Sequence, residues 1–146
     1  NQLKIEDIYI TLDLDSTLPY IYAHHTKIRE VVFNLLINAF DAIAQKETAL
    51  IHPTNDARIT IRTLLHNKYV RIQVSDNGIG IPDHLIKRIT EPFFTTKKAG
   101  TGKGLGLCIS KEIVKSDGGR FAVVSELGRK PEFIISFPPY VAPAGD

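Results

Sequence analysis

Three polar side chains recur at every fourth position of one apolar stretch: Glu30, Asn34 and Asn38. On an α-helix, residues spaced by four lie on one face, so these side chains would form a single polar stripe. Asparagine disfavours helix interiors because its side chain competes for backbone hydrogen bonds, so two asparagines here call for a reason. An amide oxygen is a neutral, hard ligand for Mg²⁺, which also binds phosphate oxygens. The stripe, with Asp41 close to the same side, therefore indicates a metal and phosphate site, unless it is simply a solvated helix face.

A second candidate site is the run from Asp76 to Pro82, with the sequence DNGIGIP, which begins where a strand is predicted to end. A carboxylate at such a strand end can accept a hydrogen bond from an exocyclic amine such as that of adenine. Gly78 and Gly80 would let the backbone approach a planar ligand closely. The alternative is a tight turn between a strand and a helix, in which Asp, Asn and Gly are also the expected residues.

The third candidate is a glycine-rich run from Gly100 to Leu107, in which four glycines alternate with other residues. It leads into a predicted helix from Leu105 to Lys115, and backbone N–H groups exposed at a helix start can bind phosphate. Lys103 and the nearby Lys97 and Lys98 could add positive charge. The spacing matches neither the Walker A motif nor the dinucleotide-binding fingerprint. A flexible linker is the alternative, although linkers seldom lead directly into an apolar helix.

The remaining pattern of the sequence predicts an α+β two-layer sandwich. Alternating, β-branched segments predict strands, and apolar residues at helical spacing predict helices. The order of elements mixes hairpins with helices, which favours a mixed, mostly antiparallel sheet packed on about three helices over a doubly wound parallel sheet. The strands are predicted at 8–12, 20–22, 58–65, 69–74, 121–125 and 133–137, and the helices at 28–43, 82–89 and 105–115, with Thr26 capping the first.

The composition is that of one folded domain and excludes several classes of protein. The chain has 146 residues, of which 43% are hydrophobic and 23% charged, as in ordinary globular domains. The net charge of +2 excludes a nucleic-acid-binding arm, and the single cysteine, Cys108, excludes a disulfide framework and an all-cysteine metal site. No apolar run approaches the roughly 18 residues of a membrane helix, and no histidine has a second ligand at metal spacing. Because methionine is absent even at position 1, we expect the sequence to be part of a longer chain.

In this order, the three candidate sites resemble the motifs of the ATP-binding catalytic domain of sensor histidine kinases. That family shares an ATPase superfamily with gyrase, a heat-shock chaperone and a mismatch-repair protein, and the resemblance implies the Bergerat fold, a two-layer α/β sandwich. The similarity covers nearly the whole chain. The N box corresponds to Glu30–Ala39, the G1 box to Asp76–Gly80, the F box to Glu91–Lys97 and the G2 box to Gly102–Leu107. The Thr-Thr-Lys end of the F box resembles the nitrogen-regulation and dicarboxylate-sensor branch.

The resemblance implies roles for five residues of the first two motifs. Asn38 would coordinate Mg²⁺, and Asn34 would contact phosphate or support the metal. Glu30 would assist in acid–base chemistry, so that Glu30 and Asn34 are the expected catalytic residues. Asp76 would bind the adenine amine, with Gly80 making room beside it.

The glycine-rich run and the segment before it would enclose the phosphates. Residues 90–104 would form a lid over ATP, and either Lys97 or Lys103 would reach its γ-phosphate. The residues expected to bind the nucleotide are therefore Asn34, Asn38, Asp76, Gly78, Gly80, Ile81, Lys97, Gly102, Lys103, Gly104, Leu105, Gly106 and Leu107.

The sequence departs from the family pattern in places that bear on its partners. Asp41 stands where many of these kinases have a basic residue, His24 where an aspartate commonly precedes the long helix, and residues 128–132 lack the usual Gly-Thr. The phosphoacceptor motif His-Glu-x-x-x-Pro does not occur in the chain. We therefore expect one catalytic domain over residues 1–146 that binds Mg-ATP and donates the γ-phosphoryl group to a histidine on a separate dimerisation domain. A response regulator would be the next partner.

Two other functions stay open. The first is an ATP hydrolase of the same superfamily, whose members carry glutamate four residues before the metal-binding asparagine, where this chain has Asn34. The second is a nucleotide-binding or docking module without catalysis, against which the intact Asn38, Asp76 and glycine-rich run argue. The resemblance further implies a cytoplasmic domain without nucleic-acid partners, and it leaves open whether the full-length protein is anchored in the inner membrane.

Overall fold

The computed structural model describes residues 1–49, 55–92, 94, 106–125 and 130–144. Within these ranges, six strands form one sheet in the order β1-β2-β3-β4-β6-β5. Neighbouring strands are antiparallel except β2 and β3, which run parallel. The predicted α+β architecture with a mixed, mostly antiparallel sheet is confirmed. The elements are β1 (Gln2–Ile5), β2 (Ile8–Asp13), α1 (His25–Ala49), β3 (Arg58–His66), β4 (Tyr69–Asp76), α2 (Gly106–Ser116), β5 (Arg120–Val124) and β6 (Glu132–Phe137).

Helix α1 is attached to the sheet by side chains that recur every fourth residue. Val31, Leu35, Ala39 and Ile43 are all buried, and they share one core with Ile59 of β3. Full burial of a side chain such as that of Leu35 stabilises the fold by roughly 1.5–3 kcal/mol. This buried row fixes the rotation of α1 about its own axis. The direction of the polar stripe, which lies on another side of the helix, is fixed with it.

Helix α1 is longer than the sequence predicts at both ends. It begins at His25 rather than near Ile28 and ends at Ala49. Thr26 is therefore inside the first turn, and its prediction as N-cap is wrong. The residue before the helix is His24, whose carbonyl oxygen accepts the N–H groups of Lys27 and Ile28 at 2.9 and 3.0 Å. The predicted start of the later helix, Leu105, lies outside the described residues, where α2 is described from Gly106.

The strand predicted at 20–22 is wrong, and a different strand is present at the edge of the sheet. Ile21 forms only an isolated bridge with Pro139, beside one hydrogen bond from Tyr140 N to Tyr20 O at 2.7 Å. Proline lacks an N–H group, so Pro139 cannot donate to a longer ladder. Strand β1, which the sequence did not predict, has four exposed residues and thus no alternation of buried and exposed side chains.

The helix predicted over 82–89 is also wrong. A short 3₁₀-helix covers Asp83–Leu85 and is followed by turns. Three N–H groups in this stretch, those of Leu85, Ile86 and Arg88, donate to the carbonyl three residues earlier. Such bonds wind the chain more tightly than an α-helix. Ile89 is nevertheless buried, so the end of this segment does reach the core.

Two further findings concern the described ranges as a whole. Over these ranges, no helix combines the length and apolar character that crossing a bilayer requires. In the same part of the chain, no group of three or more His, Cys, Asp or Glu side chains is arranged to hold a metal ion.

Candidate functional site

Asp76 is a buried carboxyl group at the end of a central strand. It is the last residue of β4, pairs with Ile59 of β3 and is only 3% exposed. Its Oδ1 accepts a hydrogen bond from Gly78 N at 2.8 Å. Burial raises the pKa of Asp76 above its usual 3.8, while the Gly78 hydrogen bond and the positive charges of Lys130 and Lys46 act in the opposite direction. A carboxylate has about four acceptor positions, so one backbone bond leaves acceptor capacity for a ligand donor.

The turn that follows Asp76 packs directly on helix α1. A Cβ at Gly78 would lie 2.4 Å from the carbonyl carbon of Ala42 and 2.6 Å from its oxygen, so only glycine fits there. Ile79 N donates to that same oxygen at 2.9 Å. Gly80 has φ +81°, a conformation in which glycine is favoured. The close approach that the structure shows at Gly78 is thus to α1. The contact of Gly78 with a planar ligand stays a prediction.

This contact brings the Asp76 turn next to the polar stripe. Ala42 lies four residues beyond Asn38 on α1, so the two share one helix face about 6 Å apart along the axis. Asn34 and Asn38 are half-buried, whereas Glu30 is exposed. The structure therefore brings the turn of the second motif against the helix that carries the first, at Ala42, one helical turn beyond Asn38.

The stripe also contacts the helix that follows the glycine-rich run. Asn34 Nδ2 donates to Ser110 Oγ of α2 at 3.3 Å, and Ser110 is fully buried. Asn34 is therefore not on a merely solvated helix face. Its amide nitrogen is occupied by a protein acceptor, which leaves the amide oxygen of the same group for another ligand.

The end of the third motif reaches the same neighbourhood. Gly106 is exposed at the start of α2, and Leu107 is half-buried against the core. Ile81 also packs partly on the core, just after the Asp76 turn. The other residues predicted to bind phosphate lie outside the described residues, so their positions stay predictions: Lys97, Gly102, Lys103, Gly104 and Leu105.

Two residues that the sequence analysis did not single out hold the Asp76 turn in place. Asn77 Oδ1 accepts Arg58 N at 2.7 Å, and Asn77 Nδ2 donates to Asp56 O at 2.6 Å. Lys46 Nζ of α1 donates to Asn77 O at 2.9 Å. Asn77 stood inside the quoted motif without a role. Its partners are about twenty residues away, and no spacing rule connects them.

A separate groove of about 340 Å³ lies between the start of α1 and the outer side of α2. Its lining includes His24, Lys27, half-buried Cys108 and Asp117. Asp117 Oδ2 accepts His24 N at 3.0 Å, and Oδ1 lies 2.7 Å from His24 Nδ1. The hydrogen bond from His24 holds the pKa of Asp117 below its usual value. This pair ties the end of α2 to the start of α1 and so helps to orient α2, which contacts Asn34 through Ser110.

Comparison with known proteins identifies the family. Residues 23–141 match the family model described as the histidine kinase-, DNA gyrase B- and HSP90-like ATPases. The chain belongs to this ATPase family. The resemblance seen in the sequence is thereby confirmed, and the match spans β3, β4, both helices and the Asp76 turn.

Individual members of this ATPase family show how far the similarity extends. The chain is 36% identical to the sensor kinase CckA of Brucella abortus over 138 residues, which is 91% of this chain and 15% of that protein. The solved catalytic domain of histidine kinase ThkA matches 90% of the chain and 79% of its own, with a TM-score of 0.71 and 30% identity. Full-length ShkA, solved in complex with AMPPNP, gives a TM-score of 0.73 at 28% identity over 94% of this chain and 27% of its own.

The ATPase domain is a small part of the curated relatives it matches. The chain spans 15% and 17% of the first two of them. Family membership therefore concerns the ATPase domain itself.

Proposed function

We propose that this domain binds Mg-ATP and donates the γ-phosphoryl group to a histidine on a separate dimerisation domain of a two-component sensor kinase. One observation carries the proposal: the Gly78–Ala42 contact holds a buried carboxyl group beside a half-buried pair of asparagines on one helix. The relatives named as sensor and histidine kinases support this reading, and ShkA was solved with an ATP analogue.

In this proposal Asp76 recognises the adenine. The carboxylate accepts a hydrogen bond from the exocyclic amine, and its buried position excludes competing water. Gly80 and Ile81, next along the chain, line the base. The glycine-rich run with Gly106 and Leu107 binds the phosphates through backbone N–H groups, and Lys97 or Lys103 supplies positive charge.

The asparagines suit a magnesium ion that also binds phosphate. Mg²⁺ prefers oxygen ligands and keeps several waters, so one or two protein oxygens suffice. The Asn34 amide nitrogen bonds Ser110, which leaves its oxygen for such a role, and Asn38 is half-buried one turn further on. When bound, the ion would neutralise charge that develops on the phosphates during transfer.

The protein contributes positioning rather than covalent chemistry. A histidine nitrogen attacks the γ-phosphorus in line with the departing ADP oxygen, and the new P–N bond forms as the P–O bond breaks. The chain's own groups hold the base and the phosphate chain so that this line is maintained. Glu30, exposed at the N-terminal end of the stripe, would assist proton movement at the acceptor. Asn34, where hydrolases carry glutamate, offers no base for activating water.

The organisation of the whole protein belongs to the same proposal. Residues 1–146 form the single catalytic domain of a longer sensor kinase, and this domain lies in the cytoplasm. The dimerisation domain with its acceptor histidine, and any anchor in the inner membrane, are encoded elsewhere in that chain. The phosphohistidine then passes its phosphoryl group to an aspartate of a response regulator.

Phosphoryl transfer can be measured directly. We expect the domain, mixed with γ-labelled ATP, Mg²⁺ and the matching dimerisation domain, to label the acceptor histidine. Asn38→Ala should reduce the rate by at least the roughly 10–100-fold typical of disturbing a metal site, and should abolish the Mg²⁺ dependence of ATP binding. An Asn67→Gly control, at the distant β3–β4 turn, should behave as the parent.

Two results would contradict this function. Release of phosphate to water at a rate unaffected by the acceptor domain would identify a hydrolase. ATP binding without either reaction, with every acceptor domain tried, would identify a nucleotide-binding module.

A further inference from the structure

We propose that Asn77 is a positioning residue for purine recognition, which acts by holding the Asp76 carboxylate in a fixed direction, and that Lys46 assists it from helix α1. The inference rests on the proposed contact between Asp76 and adenine. The ligand concerned is a purine nucleotide with an amino group at position 6.

The Asn77 side chain continues the sheet beyond its last backbone pair. The β3–β4 ladder ends with Ile59 opposite Asp76. Beyond it, the Asn77 carboxamide accepts Arg58 N and donates to Asp56 O, and Asn77 N donates to Arg58 O at 3.2 Å. The side chain thus takes the place of a further strand residue. Without it, Asp76 would be the terminal and most easily frayed residue of its strand.

Helix α1 holds the same peptide from the other side. Lys46 Nζ donates to Asn77 O at 2.9 Å, and Ile79 N donates to Ala42 O at 2.9 Å. The turn is therefore fixed to α1 on both sides of Gly78. Lys46 lies in the last turn of α1, where a cation is also favoured by the helix dipole.

The charge near Asp76 supports the same role. Among the described residues, the charged groups that act on its carboxyl are Lys46 of α1 and Lys130 before β6. Both favour the ionised form, against the effect of burial. An ionised carboxylate is an acceptor only, so it fits a 6-amino group and opposes a 6-oxo group, which is itself an acceptor.

Direction matters because a hydrogen bond weakens steeply away from linear geometry. Gly78 N donates to Asp76 Oδ1. The orientation of the turn therefore decides in which direction the remaining acceptor positions of the carboxylate point. A tilt of the peptide at Asn77 would turn them away from the base. The base would still bind beside the turn, but the carboxylate would no longer distinguish its 6-substituent.

The test is a ratio of affinities rather than an affinity. Dissociation constants for ATP, for ITP with its 6-oxo group, and for purine riboside triphosphate, which has no 6-substituent, are measured by calorimetry. The parent domain should prefer ATP by about 10–100-fold, as expected for one hydrogen bond to a charged group. In Asn77→Ala this preference should fall by at least about fivefold, and in Lys46→Met by about two- to threefold. Both changes weaken the hydrogen bond between the Asp76 carboxylate and the 6-amino group. Asn67→Gly, roughly 25 Å away at the far end of the hairpin, should keep the preference of the parent.

A role limited to stability would give a different result. Partial unfolding weakens the apparent binding of all three nucleotides equally and leaves the ratio unchanged. An unchanged ratio in folded Asn77→Ala, with a lost ratio in Asp76→Asn, overturns this proposal and leaves the adenine contact intact. If Asp76→Asn also keeps the parent's ratio, the adenine contact itself is wrong. Should circular dichroism show Asn77→Ala unfolded, Lys46→Met decides: a reduced ratio supports the proposal and an unchanged one overturns it.

Discussion

Asp76→Asn is expected to lower ATP affinity by about 10–100-fold while leaving the unliganded domain at least as stable as the parent. Asparagine keeps an oxygen for Gly78 N but loses the negative acceptor for the adenine amine. It also removes a charge that is buried in the folded protein. The Asp76 carboxylate is thus expected to lower the stability of the unliganded domain and to raise its affinity for ATP. Calorimetry with ATP and thermal unfolding without it measure the two effects separately.

The pH dependence of the same pair of proteins has a definite sign. Burial raises the folded-state pKa of Asp76 above 3.8. Between the unfolded and the folded pKa, the Asp76 carboxyl is therefore more often protonated in the folded protein than in the unfolded chain. The parent should therefore lose stability relative to Asp76→Asn as pH rises from the unfolded value through the raised folded pKa, and the difference should be constant above that. Asp13→Asn, at a surface carboxyl that pairs with Arg62, is the matched control and should change neither affinity nor this profile. Equal ATP titrations for Asp76→Asn and parent would contradict the adenine contact.

Gly78→Ala is expected to destabilise the domain by about 1–3 kcal/mol or more and to weaken ATP binding at least tenfold. The added Cβ would meet main-chain atoms of Ala42, which cannot rotate away as a flexible side chain can. The turn must therefore move off α1, and it carries Asp76 with it. Urea unfolding and ATP titration of the folded fraction measure both effects.

Gly106→Ala provides the control for stability. A Cβ there meets nothing within 4 Å in the part of the chain that the structure describes, so its unfolding free energy should be close to that of the parent. Gly78→Ala with parental stability and affinity would show that the turn does not depend on this contact.

The parts of the fold that follow local periodicity could be predicted from the sequence. The buried row of α1 and the alternating pair β3 and β4 have strong repeating patterns, and the three motifs indicated the family. Strand β1 could not be found, because all four of its residues are exposed. The 82–89 segment begins with a proline, which suits the first turn of a helix, yet its backbone closes through shorter turns.

The site was predictable in its residue types but not in its internal contacts. The stripe of Glu30, Asn34 and Asn38 follows from a spacing of four, and its direction follows from the buried row of α1, which lies one residue further along the chain. The requirement for Gly78 depends on a contact with Ala42, thirty-six residues earlier in the chain. Likewise, the bonds of Asn77 to residues 56 and 58 exist only once β3 and β4 have paired. The roles of the individual residues toward ATP stay predictions.

The central claim is that one nucleotide contacts both the Asp76 turn and the asparagines of α1. It is tested most directly by titrating the ¹⁵N-labelled domain with Mg-AMPPNP and following backbone and side-chain amide resonances. We expect the largest shifts at the amides of Gly78 to Ile81 and at the carboxamide groups of Asn34 and Asn38, in one saturating event. Shifts confined to the groove around Lys27 and Asp117, or a response of the Asp76 turn without the two carboxamides, would contradict the account.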